Sequence, residues 1–232
     1  MRDAARLRPL APHERLEEIA RRCISTLAKQ LGDRYTPART SLAAYRIYDP
    51  SGEQAAALQR VTGFVDRMET MLRETRGLVL YGSVGTGKDY LLAAALYHVA
   101  GAGIPAGFVS GEDLYLRVRD SFDTGEREDA ILHRLQEPVV LGISDPVGTR
   151  GELSDWNARV LARVLDRRYR AMRPTWLTLN ATNEDDARKK LTPLIWDRFQ
   201  DAAEIVPCFW QSFRSLRPTA SGARPITGKI TA

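Results

Sequence analysis

Three observations predict an α/β fold in which a parallel β-sheet carries helices on both faces. Short, continuous apolar runs alternate along the chain with longer segments whose apolar residues recur at helical spacing. The runs lack the polar alternation of half-exposed strands, which is typical of strands buried on both sides. Polar residues follow several of the runs, where ligands bind in parallel sheets. The 232 residues are sufficient for one sizeable domain with a short additional element.

The first third of the chain is predicted to form two helices. One extends from Pro12 to about Leu31 and ends at Gly32, and the second covers about Glu53 to Arg73. We therefore expect a short N-terminal helical element over residues 1–34, ahead of a main domain over residues 35–214. A short amphipathic helix suits docking on a partner protein, and packing on the domain's own core is an equally open interpretation.

Beyond Arg73 the pattern alternates between strands and helices. The predicted strands cover residues 78–81, 106–110, 138–145, 174–183 and 204–207, and the predicted helices cover residues 90–97, 111–122, 126–135, 156–172, 186–190 and 192–203. The last segment, residues 215–232, is rich in Pro, Gly, Ser and Thr, which predicts a disordered tail.

The segment from Leu78 to Asp89 has the most specific pattern in the chain. Four apolar residues precede a loop with three glycines and a lysine, and a helical pattern follows. This is the arrangement of a P-loop, in which backbone N–H groups surround phosphates and the lysine reaches the β- and γ-phosphates. A turn without a ligand needs fewer glycines and no lysine, so we favour a site for ATP or ADP. The predicted nucleotide-binding residues are Gly82, Ser83, Val84, Gly85, Thr86, Gly87, Lys88, Asp89 and Tyr90.

The metal chemistry of this predicted site departs from the usual pattern. Asp89 stands where a Ser or Thr normally offers its hydroxyl to Mg²⁺, and Asp145 ends an apolar run as a Mg²⁺-holding carboxylate would. Pro146 follows, where many such ATPases have an acid that activates water. We therefore expect Asp89 and Asp145 to hold Mg²⁺ and hydrolysis to be weak, and we expect a Glu at position 146 to raise turnover.

Charge and cysteine usage indicate the environment of the protein. The net charge is +5, to which residues 1–30 contribute +3 and residues 214–232 contribute +4, so the remainder carries −2. Basic termini either contact a polyanion or are simply solvated. Cys23 and Cys208 fit no metal spacing, and no apolar run has the length of a transmembrane helix. We expect a cytoplasmic protein with reduced thiols, no signal peptide and no membrane contact.

From about Tyr35 to Arg214 the chain resembles the AAA+ ATPases of the DnaC/IstB-like family, the bacterial and phage helicase loaders and transposition helpers. The motifs that carry the resemblance occur in the family's order: Leu78–Lys88, Phe108-Val-Ser-Gly-Glu-Asp-Leu, Asp166-Arg-Arg-Tyr-Arg before Arg173-Pro-Thr, Thr182-Asn183, Trp196-Asp-Arg-Phe and Ser212-Phe-Arg214. The resemblance implies a P-loop NTPase of AAA+ type that assembles into a homo-oligomer. It further implies ATP or ADP with Mg²⁺ as cofactors and binding to DNA and to a partner protein.

The resemblance also implies catalytic roles for individual residues. Lys88 corresponds to the phosphate-binding lysine and Asp145 to the Walker B aspartate. Asn183, with Asn180 as the alternative, corresponds to sensor 1, and Arg198 to an arginine finger that reaches the nucleotide of a neighbouring subunit. An ion pair on the surface is the more ordinary role for an arginine such as Arg198. The position of its side chain in the structure has to distinguish this role from that of an arginine finger.

The family's DNA-contact helix corresponds to about residues 114–122 of this chain. There Tyr115, Arg117 and Arg119 combine an aromatic ring with cations, as single-strand binding requires. An ordinary amphipathic helix is the alternative interpretation.

Three functions are compatible with these features. The first is an ATP-dependent loader that binds single-stranded DNA and a hexameric replicative helicase. The second is a transposition helper that binds target DNA and recruits a transposase. The third is a non-catalytic scaffold or inhibitor on a degenerate AAA+ fold, which Asp89 and Pro146 favour. No arginine cluster for a second phosphate substrate is evident, which disfavours a small-molecule kinase.

Overall fold

The computed structural model describes residues 12–124, 128–148 and 151–216. Residues 1–11 and most of the predicted tail, residues 217–232, lie outside the described residues. The helices are α1 (Pro12–Leu31), α2 (Glu53–Asp66), α3 (Met68–Arg73), α4 (Lys88–Gly101), α5 (Gly111–Thr124), α6 (Glu128–Gln136), α7 (Asp155–Arg170), α8 (Glu184–Leu191) and α9 (Pro193–Ala202). The strands are β1 (Gly77–Gly82), β2 (Ala106–Ser110), β3 (Val140–Ser144), β4 (Thr175–Asn180) and β5 (Ala203–Cys208).

The five strands form one parallel sheet in the order β2-β3-β4-β1-β5. Strand β1 lies between β4 and β5, and Gly82 at its end is in register with Asn180 and Cys208. Because the strands are parallel, the loops that follow β1, β3 and β4 leave the sheet at the same edge. This edge is called the rim below.

Helices cover both faces of the sheet, as the sequence predicts. Alternate residues of β1 point to opposite faces, so Leu78 and Leu80 join the core beneath α1, α2 and α4. Val79 and Tyr81 join the core beneath α5 to α9, where Trp196 is fully buried. The predicted α/β fold is confirmed.

The structure differs from the sequence prediction in the second helix. The periodic segment from Glu53 breaks at Arg67, whose backbone leaves the helical region, and a separate short helix begins at Met68. The break brings Met71 of α3 into the same core as Phe64 and Val65 of α2. Burial of Met71 therefore outweighs the continuation of one straight helix.

Helix α1 packs against α4 and the edge strand β2 through its C-terminal half. Leu27 and Leu31 are buried there, and Gln30 Oε1 accepts a 2.7 Å hydrogen bond from the backbone N–H of Phe108. The N-terminal half instead presents Leu16 to solvent with 64% of its surface exposed. The C-terminal half therefore packs on the domain's own core, and docking on a partner stays a prediction for the exposed N-terminal half.

A buried arginine fixes the strands that approach the rim. Arg168 of α7 is 1% exposed and donates hydrogen bonds to four backbone carbonyls and to Thr175 Oγ1. The four carbonyl acceptors belong to Leu135, Pro138, Val139 and Pro174. These bonds hold the N-terminal ends of β3 and β4 together. Asp145 and Asn180 lie at the C-terminal ends of the same two strands.

Candidate nucleotide-binding site

The loop between β1 and α4 has the geometry of a P-loop. Lys88 opens α4 and is only 5% exposed, and its Nζ donates to Gly82 O at 3.0 Å and Ser83 O at 2.6 Å. Burial lowers the pKa of Lys88, and the nearby carboxylates of Asp89 and Asp145 oppose this effect. The ammonium group is thus held at the end of β1 by carbonyls that it can exchange for phosphate oxygens.

The chain after β5 folds back over the P-loop and is called the clasp below (residues 209–214). Trp210 Nε1 donates to Thr86 O at 2.9 Å, and the backbone N–H of Phe213 donates to Gly85 O at 2.9 Å. Gly85 has a φ of 83°, and a Cβ at this position would overlap Ser212 Oγ. Glycine is therefore required at position 85 both by the backbone conformation and by the clasp.

An aromatic cluster lies beside the start of α4. The ring of Tyr45 lies 5.6 Å from that of Tyr90, and Tyr35 contacts Tyr90 edge-on at 6.4 Å. Tyr45 also donates to Thr86 O at 3.2 Å, and Tyr90 donates to Arg39 O at 2.8 Å. Of the three tyrosines, the sequence analysis assigned only Tyr90 to the site. The only signal for the others was the unusual density of tyrosine in the connector after α1.

The acidic residues predicted to hold Mg²⁺ come together at the rim. Asp89 Oδ1 accepts from Ser144 Oγ at 2.9 Å and from Thr178 Oγ1 at 2.7 Å. Asp145 Oδ2 accepts from Asn180 Nδ2 at 2.6 Å. Burial raises the pKa of Asp145, and the neighbouring charge of Asp89 raises it further. Two carboxylates thus lie close to each other and to Lys88.

The donor set fits a divalent cation. Asp145 Oδ1 is buried and has no hydrogen-bond partner within the described part of the chain. A buried carboxylate oxygen without a donor is unfavourable by itself, and Mg²⁺ prefers such oxygen ligands. Asp145 and Asp89 are therefore the residues that would hold Mg²⁺ beside the phosphates.

The position expected to activate water carries no acid. Pro146 is buried, and a Cβ at Gly111 of α5 would overlap Pro146 Cα. Asp145 itself has a left-handed backbone with a φ of 43°, so the chain turns sharply at this point. Glu152, a candidate substitute, forms an exposed ion pair with Lys189 at 3.2 Å.

Of the two asparagines considered as sensor 1, the structure brings Asn180 to Asp145. Asn183 instead caps α8, where its Oδ1 accepts from the backbone N–H of Asp186 at 2.8 Å. Because the side chain of Asn183 already caps a helix, the geometry favours the alternative, Asn180, for the sensor 1 position.

Arg198 lies on α9 at the surface, with 43% of its side chain exposed. Its Nη2 lies 3.1 Å from Asp166 Oδ1 of α7, and the same aspartate also pairs with Arg170. The ordinary role of a surface ion pair is thus present within one subunit. An exposed pair of this kind is weak, and the role of Arg198 as an arginine finger stays a prediction.

The predicted DNA-contact helix, α5, requires a correction. Tyr115 is 8% exposed and its ring packs edge-on against Trp156 at 6.2 Å, so it is not available to stack on a base. Arg117 and Arg119 are exposed, as expected. The guanidinium of Arg119 lies 5.4 Å from the centre of the half-buried Trp156 ring. The aromatic neighbour of Arg119 is therefore Trp156 of α7, which the sequence analysis did not select.

The fold and the rim together define the class of the protein. A parallel sheet in this strand order, with a P-loop after β1 and an aspartate after β3, is the fold of a P-loop ATPase of AAA+ type. The family model described as "IstB-like ATP binding protein" matches residues 17–220, and the chain belongs to this family. The predicted resemblance is thereby confirmed.

Solved structures give the same fold. The structure of the DnaC helicase loader matches with a TM-score of 0.66 and 24% identity, covering 76% of this chain and 99% of that one. The structure of DnaI matches with a TM-score of 0.60 and 19% identity, covering 82% and 98%. The replication initiator DnaA bound to AMPPCP and single-stranded DNA matches with a TM-score of 0.61 and 16% identity, covering 76% of this chain and 51% of that one.

A comparison with curated protein sequences gives no match. Within the described residues, no helix is long and apolar enough to cross a membrane.

Proposed function

We propose that this protein binds ATP with Mg²⁺ and acts as a loader of a hexameric replicative helicase onto single-stranded DNA. The observation that carries the nucleotide part is the buried Lys88, held at the end of β1 beside the unpaired oxygen of Asp145. The loader part is supported by the exposed N-terminal half of α1 on a domain that covers 99% of the DnaC helicase loader structure.

In this proposal the nucleotide is bound by the loop and acts as a switch. Lys88 gives up its bonds to Gly82 O and Ser83 O for phosphate oxygens, and Asp89 and Asp145 hold the cation. Bound Mg²⁺ neutralises charge on the β- and γ-phosphates. Hydrolysis is slow because Pro146 has no acid–base group, and Asn180, whose side chain donates to Asp145 Oδ2, is an amide that cannot accept the proton of the attacking water.

Nucleotide binding would also assemble the protein. Arg198 leaves Asp166 and contacts the nucleotide of a neighbouring subunit, which couples ATP to a homo-oligomer. Along such an assembly, Arg117 and Arg119 contact the DNA backbone, and Trp156 offers a ring on which bases stack.

Loading of a replicative helicase onto circular single-stranded DNA tests the proposal. Purified host helicase is incubated with the full chain and ATP, and DNA-bound helicase is counted after gel filtration. Leu16→Glu places a charge on the exposed face of α1 and should abolish both helicase co-elution and loading. Leu194→Glu on α9 is the matched control, because Leu194 is 65% exposed against 64% for Leu16. If wild type loads no helicase, the loader proposal is wrong. Equal loading by wild type and Leu16→Glu would show instead that the exposed face of α1 is not the helicase contact.

A transposition helper is the second candidate, and membership of the IstB-like family favours it. The same chain would then bind duplex target DNA with ATP and retain a purified transposase encoded next to it. Retention of the transposase together with failure to load the helicase would select this function.

A non-catalytic scaffold is the third candidate, favoured by Pro146 and by the carboxylate at position 89. It predicts no ATP turnover above that of a Lys88→Ala variant. Turnover that is lost in Lys88→Ala would exclude it.

A further inference from the structure

Two hydroxyl side chains lie among the acidic residues of the rim, and the proposed function gives them no role. Ser144 is the last residue of β3, and Thr178 of β4 is in register with it. Thr178 is 1% exposed and Ser144 is half-buried. The sequence analysis selected neither residue. Because buried hydroxyl groups are normally hydrogen-bonded, their partners indicate what these two residues do.

Both hydroxyl groups donate to the same oxygen of Asp89. Ser144 Oγ lies 2.9 Å and Thr178 Oγ1 lies 2.7 Å from Asp89 Oδ1. The other oxygen, Oδ2, has no hydrogen-bond partner within the described part of the chain. Two donors on one oxygen fix the rotation of the carboxylate and leave its second oxygen for a cation, since Mg²⁺ prefers carboxylate ligands.

Thr178 also holds the second acidic residue, Asp145. The backbone N–H of Asp145 donates to Thr178 Oγ1 at 3.2 Å and to Thr178 O at 3.1 Å. Asp145 has a φ of 43°, a left-handed conformation that is unfavourable for a residue with a side chain. The bonds to Thr178 stabilise this turn. A single hydroxyl group therefore contacts the carboxylate of Asp89 and the backbone of Asp145.

The departure at position 89 explains why these donors are needed. A Ser or Thr at this position could donate a hydrogen bond to a neighbouring carboxylate, whereas an ionised aspartate only accepts. Asp89 and Asp145 repel each other, and donors from the strands offset part of the charge that Asp89 introduces. We propose that Thr178, assisted by Ser144, is a positioning residue that orients Asp89 and the turn at Asp145 for a shared divalent cation. This inference rests on the proposed binding of ATP with Mg²⁺.

Calorimetry of ATP binding to the full chain, with Mg²⁺ and with EDTA, tests the role of Thr178. Thr178→Val keeps the shape of the side chain without its hydroxyl and should weaken binding of ATP with Mg²⁺ by about tenfold, because a hydrogen bond to a charged group is lost. Thr178→Ser should recover most of the affinity. With EDTA, wild type and Thr178→Val should bind ATP equally, because the hydroxyl acts through the cation.

Two further variants separate positioning from folding. In an Asp89→Thr protein there is no carboxylate to orient, so adding Thr178→Val should change the affinity for ATP with Mg²⁺ by no more than about twofold. Thr175→Val is the matched control, because it removes another buried hydroxyl of β4, one that accepts from Arg168 at the opposite end of the strand. It should lower Tm and leave ATP affinity unchanged.

The outcomes distinguish this inference from the proposed function. If wild type binds ATP with Mg²⁺ and folded Thr178→Val binds it equally well, the inference is overturned while the proposed function stands. An equal loss with Mg²⁺ and with EDTA, or an equal loss in the Asp89→Thr protein, would assign Thr178 to the folding of the rim and also overturn it. If Thr178→Val does not fold, Ser144→Ala at the half-buried position applies the same test to the other donor. If wild type does not bind ATP with Mg²⁺, the proposed function itself fails.

Discussion

The two halves of the rim differ in how fully their polar groups are hydrogen-bonded and in how closely they follow the usual pattern of an ATPase site. In the half formed by the P-loop and the clasp, Lys88 is fully bonded and the carbonyls of Gly85 and Thr86 both accept hydrogen bonds. In the half formed by the ends of β3 and β4, Asp145 keeps a buried oxygen that has no hydrogen-bond partner among the described residues, and Pro146 fills the next position. Because the departures from the usual pattern concentrate in the second half, we expect this chain to keep nucleotide binding while its hydrolysis is weak.

The largest effect on ATP affinity is expected from removing Lys88, in the half of the rim formed by the P-loop and the clasp. Lys88→Ala should weaken ATP binding by about 100-fold or more, since a buried ammonium group makes charge-assisted bonds to phosphate. Calorimetry with ATP and Mg²⁺ measures the affinity. Lys189→Ala, which removes an exposed lysine, is the control. Unchanged affinity in a folded Lys88→Ala protein would show that the loop is not the nucleotide site.

The second effect concerns the position that lacks an acid. The sequence alone suggests that Pro146→Glu raises turnover, and the structure indicates otherwise because this position is buried against Gly111. We expect a loss of about 1–3 kcal/mol in the free energy of unfolding and no gain in turnover, because a carboxylate would be buried without a partner.

Urea unfolding and a phosphate-release assay measure the two quantities for Pro146→Glu. Pro146→Gln separates the effect of volume from that of charge. Faster turnover in a stable Pro146→Glu protein would mean that position 146 opens toward the phosphates, contrary to the comparison of the two halves.

Asp89 directly follows the P-loop and accepts hydrogen bonds from side chains of β3 and β4, so it contacts both halves of the rim. Replacing it should therefore change how the affinity for ATP depends on Mg²⁺. Asp89→Thr removes a negative charge beside the phosphates and should raise ATP affinity in EDTA by roughly tenfold, with a smaller change when Mg²⁺ is present. Titrations with and without the cation measure the ratio. Asp185→Thr on α8 is an exposed control. A Mg²⁺ dependence identical to that of wild type would exclude Asp89 as a metal ligand.

The smallest effect concerns stability and pH. Because burial and Asp89 raise the pKa of Asp145, its ionised form destabilises the folded protein. The folded protein therefore binds the proton more tightly than the unfolded chain, and this destabilisation appears as the pH rises from the ordinary carboxyl pKa through the raised value.

Asp145→Asn should thus raise Tm at pH 7, by about 2–4 °C for each kcal/mol of stabilisation, and the gain should shrink as the pH falls toward the ordinary carboxyl pKa. Calorimetric melting between pH 4 and 8 without nucleotide measures it. A Tm difference that does not vary with pH would show that the charge of Asp145 is not the cause.

The sequence predicted those parts of the molecule that local patterns determine. The apolar run, the glycines and the following helix located β1, the P-loop and α4, and helical spacing with Gly32 gave the bounds of α1 correctly. The sequence could not predict that Asn180, rather than Asn183, lies beside Asp145, because this depends on where β4 ends and α8 is capped.

Contacts between distant segments could not be predicted from these patterns. The burial of Tyr115 depends on Trp156 of a later helix, and the clasp joins Phe213 to Gly85. Both arise from tertiary packing, which overrides the local signal of an amphipathic helix or a polar loop.

The hydrogen bond from the Trp210 indole to Thr86 O gives the molecule an optical signal at its phosphate loop. Of the four tryptophans, Trp176 and Trp196 are fully buried away from this loop, and Trp156 lies beside Arg119. Indole emission responds to the polarity and hydrogen bonding around the ring. A chain in which Trp156, Trp176 and Trp196 are replaced by Phe would therefore emit from the clasp alone, and would report each rearrangement of the loop without an added dye.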